Sequence, residues 1–167
     1  MNAEKYTILF VCSGNSCRSP MAEGLMKAMI PDELRESVIV KSAGTLGLDG
    51  HPATPYAVTT AEELGADISE HRSQGLTQEL VDAANIVFAM ASNHKKYFEE
   101  NFPEAKENVF LLKEFDGDKT ETADSDIDDP IGRSLKIYRE CGQEIDAELK
   151  RILPRLLELI KATLGKS

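Results

Sequence analysis

An α/β fold built on a parallel sheet with helices on both faces is the class this sequence predicts. Three observations predict it. Short apolar runs of strand length recur along the chain, segments with helical apolar spacing stand between them, and the runs are apolar throughout rather than alternating. Strands buried on both faces require that last property. The 167 residues suffice for one continuous core. No internal repeat, low-complexity tract or Pro/Gly/Ser linker divides them, so residues 1–167 are expected to form a single domain.

Tyr6 to Val11 (YTILFV) is the first strand, ending at the small and turn-forming cluster Cys12-Ser13-Gly14-Asn15-Ser16. Ser19-Pro20 reads as an N-cap followed by proline at the first helical position, and Met21, Leu25, Met26, Met29 and Ile30 continue at helical spacing. Ser37 to Lys41 is the second strand, stopping at Ser42-Ala43-Gly44-Thr45. Thr54-Pro55 opens a helix to about Leu64, with Gly65 as its stop. Leu76 to Ala83 is a short helix, Asn85 to Met90 the third strand, and Ser92 caps the helix after it. Tyr97, Phe98 and Phe102 are expected to pack that helix on the sheet. Asn108 to Leu112 is the fourth strand, and Asp116 to Asp128 a polar acidic loop. From Ser134 onward a long helix carries the stripe Ile145, Leu149, Ile152, Leu153, Leu156, Leu157, Ile160 and Leu164. Pro154 inside it predicts a kink or a break into two helices.

Apolar residues make 41% and charged residues 29% of the chain, whose formal charge is −10. So acidic a chain disfavours non-specific binding to nucleic acid or to an anionic membrane. No apolar run reaches membrane-spanning length, and the opening Met1-Asn2-Ala3-Glu4-Lys5 does not read as a secretory signal. Three cysteines, two of them in one loop, argue against a disulfide scaffold and for a cytoplasmic protein with reactive thiols.

Ligands in open α/β sheets bind at the carboxyl ends of the strands, and Cys12 stands there. Cys12 to Ser19 has the form C-x5-R-S between a strand and a helix. A short loop entering a helix N-terminus turns backbone N–H groups inward and makes a nest for a tetrahedral oxyanion. Ser13, Gly14, Asn15, Ser16, Cys17 and Arg18 would line it. Gly14 supplies conformations closed to other residues, and Arg18 holds two phosphoryl oxygens at once. The positive potential favours a thiolate on Cys12, aimed at phosphorus, and the Ser19 hydroxyl donates to that sulfur. A buried structural cysteine beside an incidental arginine is the plainer reading. A bare C-x5-R is common, but the strand before this one and the Ser-Pro helix start after it make it specific.

The run from Cys12 to Glu23, C-x-G-N-x-C-R-S-P-M-A-E, resembles the phosphate loop of the low-molecular-weight protein tyrosine phosphatase family. Ser42-Ala43-Gly44-Thr45, His71-Arg72-Ser73-Gln74 and Asp129-Pro130 follow in the family's order and spacing. The resemblance covers nearly the whole chain. It implies a flavodoxin-like three-layer α/β/α architecture whose four-stranded parallel sheet has the order 2-1-3-4. It also implies a phosphoenzyme mechanism without metal or other cofactor, acting on phosphorylated proteins. Cys12 would be its nucleophile, Arg18 its phosphate clamp and Asp129 its general acid, with Asn15, Ser19, Ser42 and His71 supporting the loop. The family pairs cysteines as Cys12 and Cys17 stand here, to protect the nucleophile from over-oxidation.

Expelling an oxygen or nitrogen leaving group needs a proton. Asp124, Asp126, Asp128 and Asp129, all in the loop after the fourth strand, are the candidates. Pro130 restricts Asp129 to extended backbone and so directs its side chain, which favours it. Asp124 and Asp126 read as solvated loop residues. Asp116 to Asp129 lacks the central glycine and terminal glutamate of an EF-hand loop, and Cys12 and Cys17 have no second ligand pair for zinc. Cys141 reads as inert, His51 and His94 as surface or helix-cap residues, and His71 as structural.

Family members acting on phosphotyrosine commonly have an apolar residue at the position of Ser16 and tyrosines after Asp-Pro. Relatives that hydrolyse phosphoarginine have threonine there and Asp-Pro-x-Gly-x-Ser. Ser16 and Asp129-Pro130-Ile131-Gly132-Arg133-Ser134 resemble the second branch, although serine is not threonine. A narrower, polar wall accepts a guanidinium and loses stacking on a phenyl ring. Two other classes stay open. An arsenate reductase shares the loop but relays a disulfide through cysteines after the third strand, and Ala91 to Leu112 contains none. A non-catalytic phosphoprotein-binding module would not need Cys12, Arg18 and Asp129 together. Oligomeric state is not legible.

Overall fold

The computed structural model describes residues 4–117 and 125–166. Four strands, β1 (Tyr6–Cys12), β2 (Val38–Gly44), β3 (Ile86–Ala89) and β4 (Val109–Leu111), form a parallel sheet of order β2-β1-β3-β4. Among the described residues five helices connect or follow them: α1 (Arg18–Met29), α2 (Pro55–Glu63), α3 (Gln78–Ala83), α4 (Ser92–Asn101) and α5 (Leu135–Leu164). This is the expected flavodoxin-like three-layer architecture and strand order.

Every residue of β1 is buried, because its two faces serve two cores. Ile8 and Phe10 face the core shared with Met21, Leu25 and Met26 of α1 and Ile145, Leu149, Ile152 and Leu156 of α5. Leu9 and Val11 face the smaller core with Val81 of α3 and Phe98 of α4. The alternation is the period-2 geometry of a strand, and it explains the continuous apolar run. Phe10 and Phe88 on neighbouring strands stack with centroids 5.6 Å apart. The register pairs Cys12 with Gly44 and Val11 with Ala89. Hence the loops after β1, β2 and β3 all leave the sheet side by side.

Several boundaries differ from the expectation. β2 begins at Val38 and continues through Ser42-Ala43-Gly44; these small residues pack against the Cys12 loop instead of turning away from it. α1 starts at Arg18, with Cys17 at its N-cap. Ser19 is therefore no cap, and its hydroxyl is spent on the loop. α4 begins at Ser92, so Ser92 is its first residue and not its cap. Asp126 takes the cap's work, its carboxylate accepting from Ser92 N–H at 2.7 Å and Ser92 Oγ–H at 3.1 Å. Ser134 does cap α5, accepting from Ile137 N–H at 3.3 Å. Pro154 neither breaks nor divides α5, which is one helix of 30 residues. Pro154 lies on the exposed side, while Leu149, Ile152, Leu156 and Ile160 on both sides of it are fully buried and hold the two halves in line. Two 3-10 turns, Asp32–Leu34 and Pro103–Asn108, stand beside the expected elements.

Candidate active site

The turn from Cys12 to Arg18 is held open by its neighbours. The carbonyls of Cys12, Ser13 and Ser16 accept from the N–H groups of Thr45, Leu46 and Thr54 at 3.0 Å each. The Asn15 carbonyl accepts from His71 Nε2–H at 2.8 Å. Across a planar trans peptide the next N–H points opposite to the carbonyl. The N–H groups of Ser13, Gly14, Ser16 and Cys17 therefore face away from these outward ties, toward the loop's interior. Successive amides turned to one side in this way can form an anion nest.

Asn15 is the keystone. Its φ is +55°, a left-handed conformation that asparagine tolerates better than most residues. The sequence pointed to Gly14 for unusual backbone, yet Gly14 has no left-handed φ; the adjacent Asn15 takes it because its side chain is tied down. Asn15 Nδ2 donates to Ser19 Oγ at 2.8 Å and to Ser42 Oγ at 2.9 Å, and its Oδ1 accepts from Gln74 N–H at 2.9 Å. Ser42 in turn donates to Glu23 Oε1 at 2.6 Å. The end of β2 comes so close that a Cβ on Gly44 would lie 2.5 Å from the Ser13 carbonyl oxygen, which requires glycine there.

Cys12 is buried, and its Sγ lies 2.9 Å from Ser19 Oγ. Ser19 Oγ already accepts from Asn15, so its own proton is left for the sulfur. Arg18 is buried too, donating from Nη1 to the Ile127 carbonyl at 2.8 Å and from Nη2 to Ser13 Oγ at 3.5 Å. Its Nη2 also stands 3.5 Å from Asp129 Oδ2. The other oxygen of Asp129 accepts from Ile131 N–H at 3.1 Å, a short turn that directs the carboxylate. The side chain of Asp129 is 42% exposed, so water reaches it. Asp128 is exposed, and Asp124 lies outside the described residues. Asp126 is no idle loop residue, since it holds the start of α4.

Cys17 faces a polar cluster, with Tyr138 Oη at 3.3 Å and Thr54 Oγ1 at 3.4 Å. Burial and the neighbouring sulfur push the Tyr138 phenol up to about 12. All three cysteines are free thiols. Burial pushes Cys141 up to about 12, which agrees with an inert role. Among the described residues no group of three or more His, Cys, Asp or Glu side chains is arranged to hold a metal ion, and no helix is long and apolar enough to cross a membrane.

His51 is exposed, as expected; His94 is the helix-cap residue the sequence allowed, its ring bonded to the Ala91 N-cap, but it is fully buried and not at the surface. Its Nδ1 accepts from Ala91 N–H at 3.1 Å, and its Nε2 lies 2.9 Å from Ser13 Oγ. Burial lowers it to about 4, the Arg18 charge adding to the effect and Asp126 and Asp129 opposing it. His94, Thr54, Tyr138, Glu23 and Gln74 join the site without an individual site role in the sequence pattern, where His94 reads as surface or helix cap, Thr54 as a helix opener, and Glu23 and Gln74 only as members of longer motifs. Topology held the one available signal for His94: it belongs to the first turn after β3, and β3 is the neighbour of the strand that carries Cys12.

A thiol, an arginine and an aspartate around an anion loop at this end of a parallel sheet define a small cysteine-dependent phosphatase. The chain belongs to the low-molecular-weight phosphotyrosine protein phosphatase family, whose model matches residues 7–164. A protein-arginine-phosphatase of Geobacillus stearothermophilus is 40% identical over 151 residues, 90% of this chain and 96% of that one. The solved arginine phosphatase from that organism superposes with a TM-score of 0.79, covering 92% of this chain and 94% of its own. A low-molecular-weight protein tyrosine phosphatase structure from T. tengcongensis is 36% identical, with a TM-score of 0.81 over 90% of this chain and 99% of its own. An arsenate reductase of Staphylococcus epidermidis is 33% identical over 153 residues, 92% of this chain and 99% of that one.

Proposed function

We propose that this protein removes phosphoryl groups from phosphoarginine residues of proteins, accepting phosphotyrosine and simple aryl phosphates as well. One observation carries the reading: the Cys12 sulfur lies 2.9 Å from the Ser19 hydroxyl beneath a loop whose carbonyls are tied outward. The sulfur attacks phosphorus, the bond from phosphorus to the guanidinium nitrogen or phenol oxygen breaks, and Asp129 gives its proton to the departing atom. Loop amides and Arg18 hold the charge on the phosphoryl group in transit. Water then attacks phosphocysteine, Asp129 takes its proton, the S–P bond breaks, and Ser19 stabilises the sulfur as it leaves.

Two features support phosphoarginine. Ser16 puts a small polar side chain in the loop where an apolar wall would favour a phenyl ring, and Asp129 to Ser134 offers no aromatic residue. The 40% identical relative is named for the same activity. The three thiols support work in a reducing compartment, the cytoplasm. Arsenate reduction is the second reading. It needs a cysteine relay that residues 91–112 lack.

The test compares kcat/KM on matched phosphoarginine and phosphotyrosine peptides for wild type, Ser16→Thr, Ser16→Ile and Cys12→Ser. Expected are a preference for phosphoarginine, its retention in Ser16→Thr, a shift toward phosphotyrosine in Ser16→Ile, and no phosphate release by Cys12→Ser. A large wild-type preference for phosphotyrosine would end the arginine assignment. Arsenate-dependent thiol oxidation would turn the reading toward the reductase.

A further inference from the structure

Arg18 is held from two directions by the first turn of α4. On one side Asp126 grips Ser92, and Ile127 N–H donates to the Met90 carbonyl at 2.8 Å. Those bonds fix the Ile127 carbonyl that accepts from Arg18 Nη1. On the other side His94 reaches Ser13 Oγ, which accepts from Arg18 Nη2. The His94 tautomer follows from its partners. Ala91 N–H donates to Nδ1, so the neutral ring carries its proton on Nε2 and donates it to Ser13. Ser13 Oγ thus accepts from both His94 and Arg18.

We propose that His94 is a positioning residue of the phosphatase reaction, donating from Nε2–H to Ser13 so that Ser13 and the Arg18 guanidinium stay aligned on the transferring phosphoryl group. This rests on the phosphatase reading and extends it to a residue that touches no reacting atom. The neutral ring is part of the device. A second proton would sit on Nδ1, opposite the Ala91 N–H, and would break the bond that orients the imidazole. The charged groups facing His94 are Arg18 from α1 and Asp126 and Asp129 from the acid loop.

The two ring nitrogens can be tested apart. Asparagine mimics Nδ1 and keeps the bond from Ala91 while losing Ser13; glutamine mimics Nε2 and does the reverse. For His94→Asn the expectation is a near wild-type Tm, a kcat/KM on an aryl phosphate lower by about ten- to a hundredfold, and weaker binding of inorganic phosphate by calorimetry. His94→Gln should melt earlier yet keep kcat/KM per folded molecule within about threefold. Ser13→Ala should match His94→Asn, and the double variant should be no worse than either single one. The proposal is overturned if His94→Gln loses as much activity as His94→Asn, if the double variant shows additive losses, or if Ser13→Ala is fully active. If His94→Asn does not fold, His94→Gln and Ser13→Ala decide by the same criteria. Absence of any wild-type turnover would instead sink the phosphatase reading. Phosphate binding by the same variants would still report on the brace.

Discussion

Asn15 makes or accepts four hydrogen bonds at φ +55°, joining α1, β2 and the 71–74 turn to the sulfur through Ser19. Its two duties are separable. Asn15→Gly frees the backbone for the left-handed conformation but removes the side-chain bonds; Asn15→Ala removes the same bonds and adds left-handed strain of about 1–2 kcal/mol. Both should lower kcat/KM, since Ser19 loses the partner that aims its proton at Cys12. Asn15→Ala should unfold at lower urea than Asn15→Gly by about that strain energy. Equal midpoints would mean that the loop relaxes and that the conformation is not enforced by its surroundings.

At the scale of elements, the sequence held most of the sheet. The buried run of β1 and the C-x5-R-S turn are local patterns, and so is the proline after Asp129. What it hid were bonds between distant segments: Cys17 with Tyr138 spans 121 positions, and Ser13 with His94 spans 81. Polar residues at helix starts read as caps or surface until the neighbouring strand is known. Pro154 shows the opposite failure, where a strong local rule lost to packing. A proline inside a helix removes one backbone bond and clashes with the preceding turn, a cost of about 3 kcal/mol against alanine, yet α5 runs on because its stripe is buried on both sides of the proline. Pro154→Ala should therefore raise the stability by about 1–3 kcal/mol, read as a higher urea midpoint, with kcat/KM unchanged. A neutral or lower midpoint would indicate that the helix is bent there to fit the core.

For the whole molecule, one buried ring gives folding a pH dependence in a defined window. His94 is lowered to about 4 from an ordinary 6.5, chiefly because burial disfavours its charged form. Below 6.5 the unfolded chain binds a proton that the native protein refuses until near 4, so protons favour unfolding across that interval. The stability that His94 permits is complete above 6.5 and is lost as pH falls to about 4, for a total of about 3 kcal/mol. Paired carboxylates such as Glu63, lowered by its hydrogen bonds with Arg139, add acid sensitivity only toward the bottom of this range and below. Urea unfolding of wild type from pH 7.5 to 4.5 should show a falling midpoint, while His94→Asn, with no proton to bind, should be flatter over the same interval. Parallel curves for the two proteins would mean that the ring is not neutral in the native state, and the bond from the Ala91 amide to Nδ1 would have to be abandoned with it.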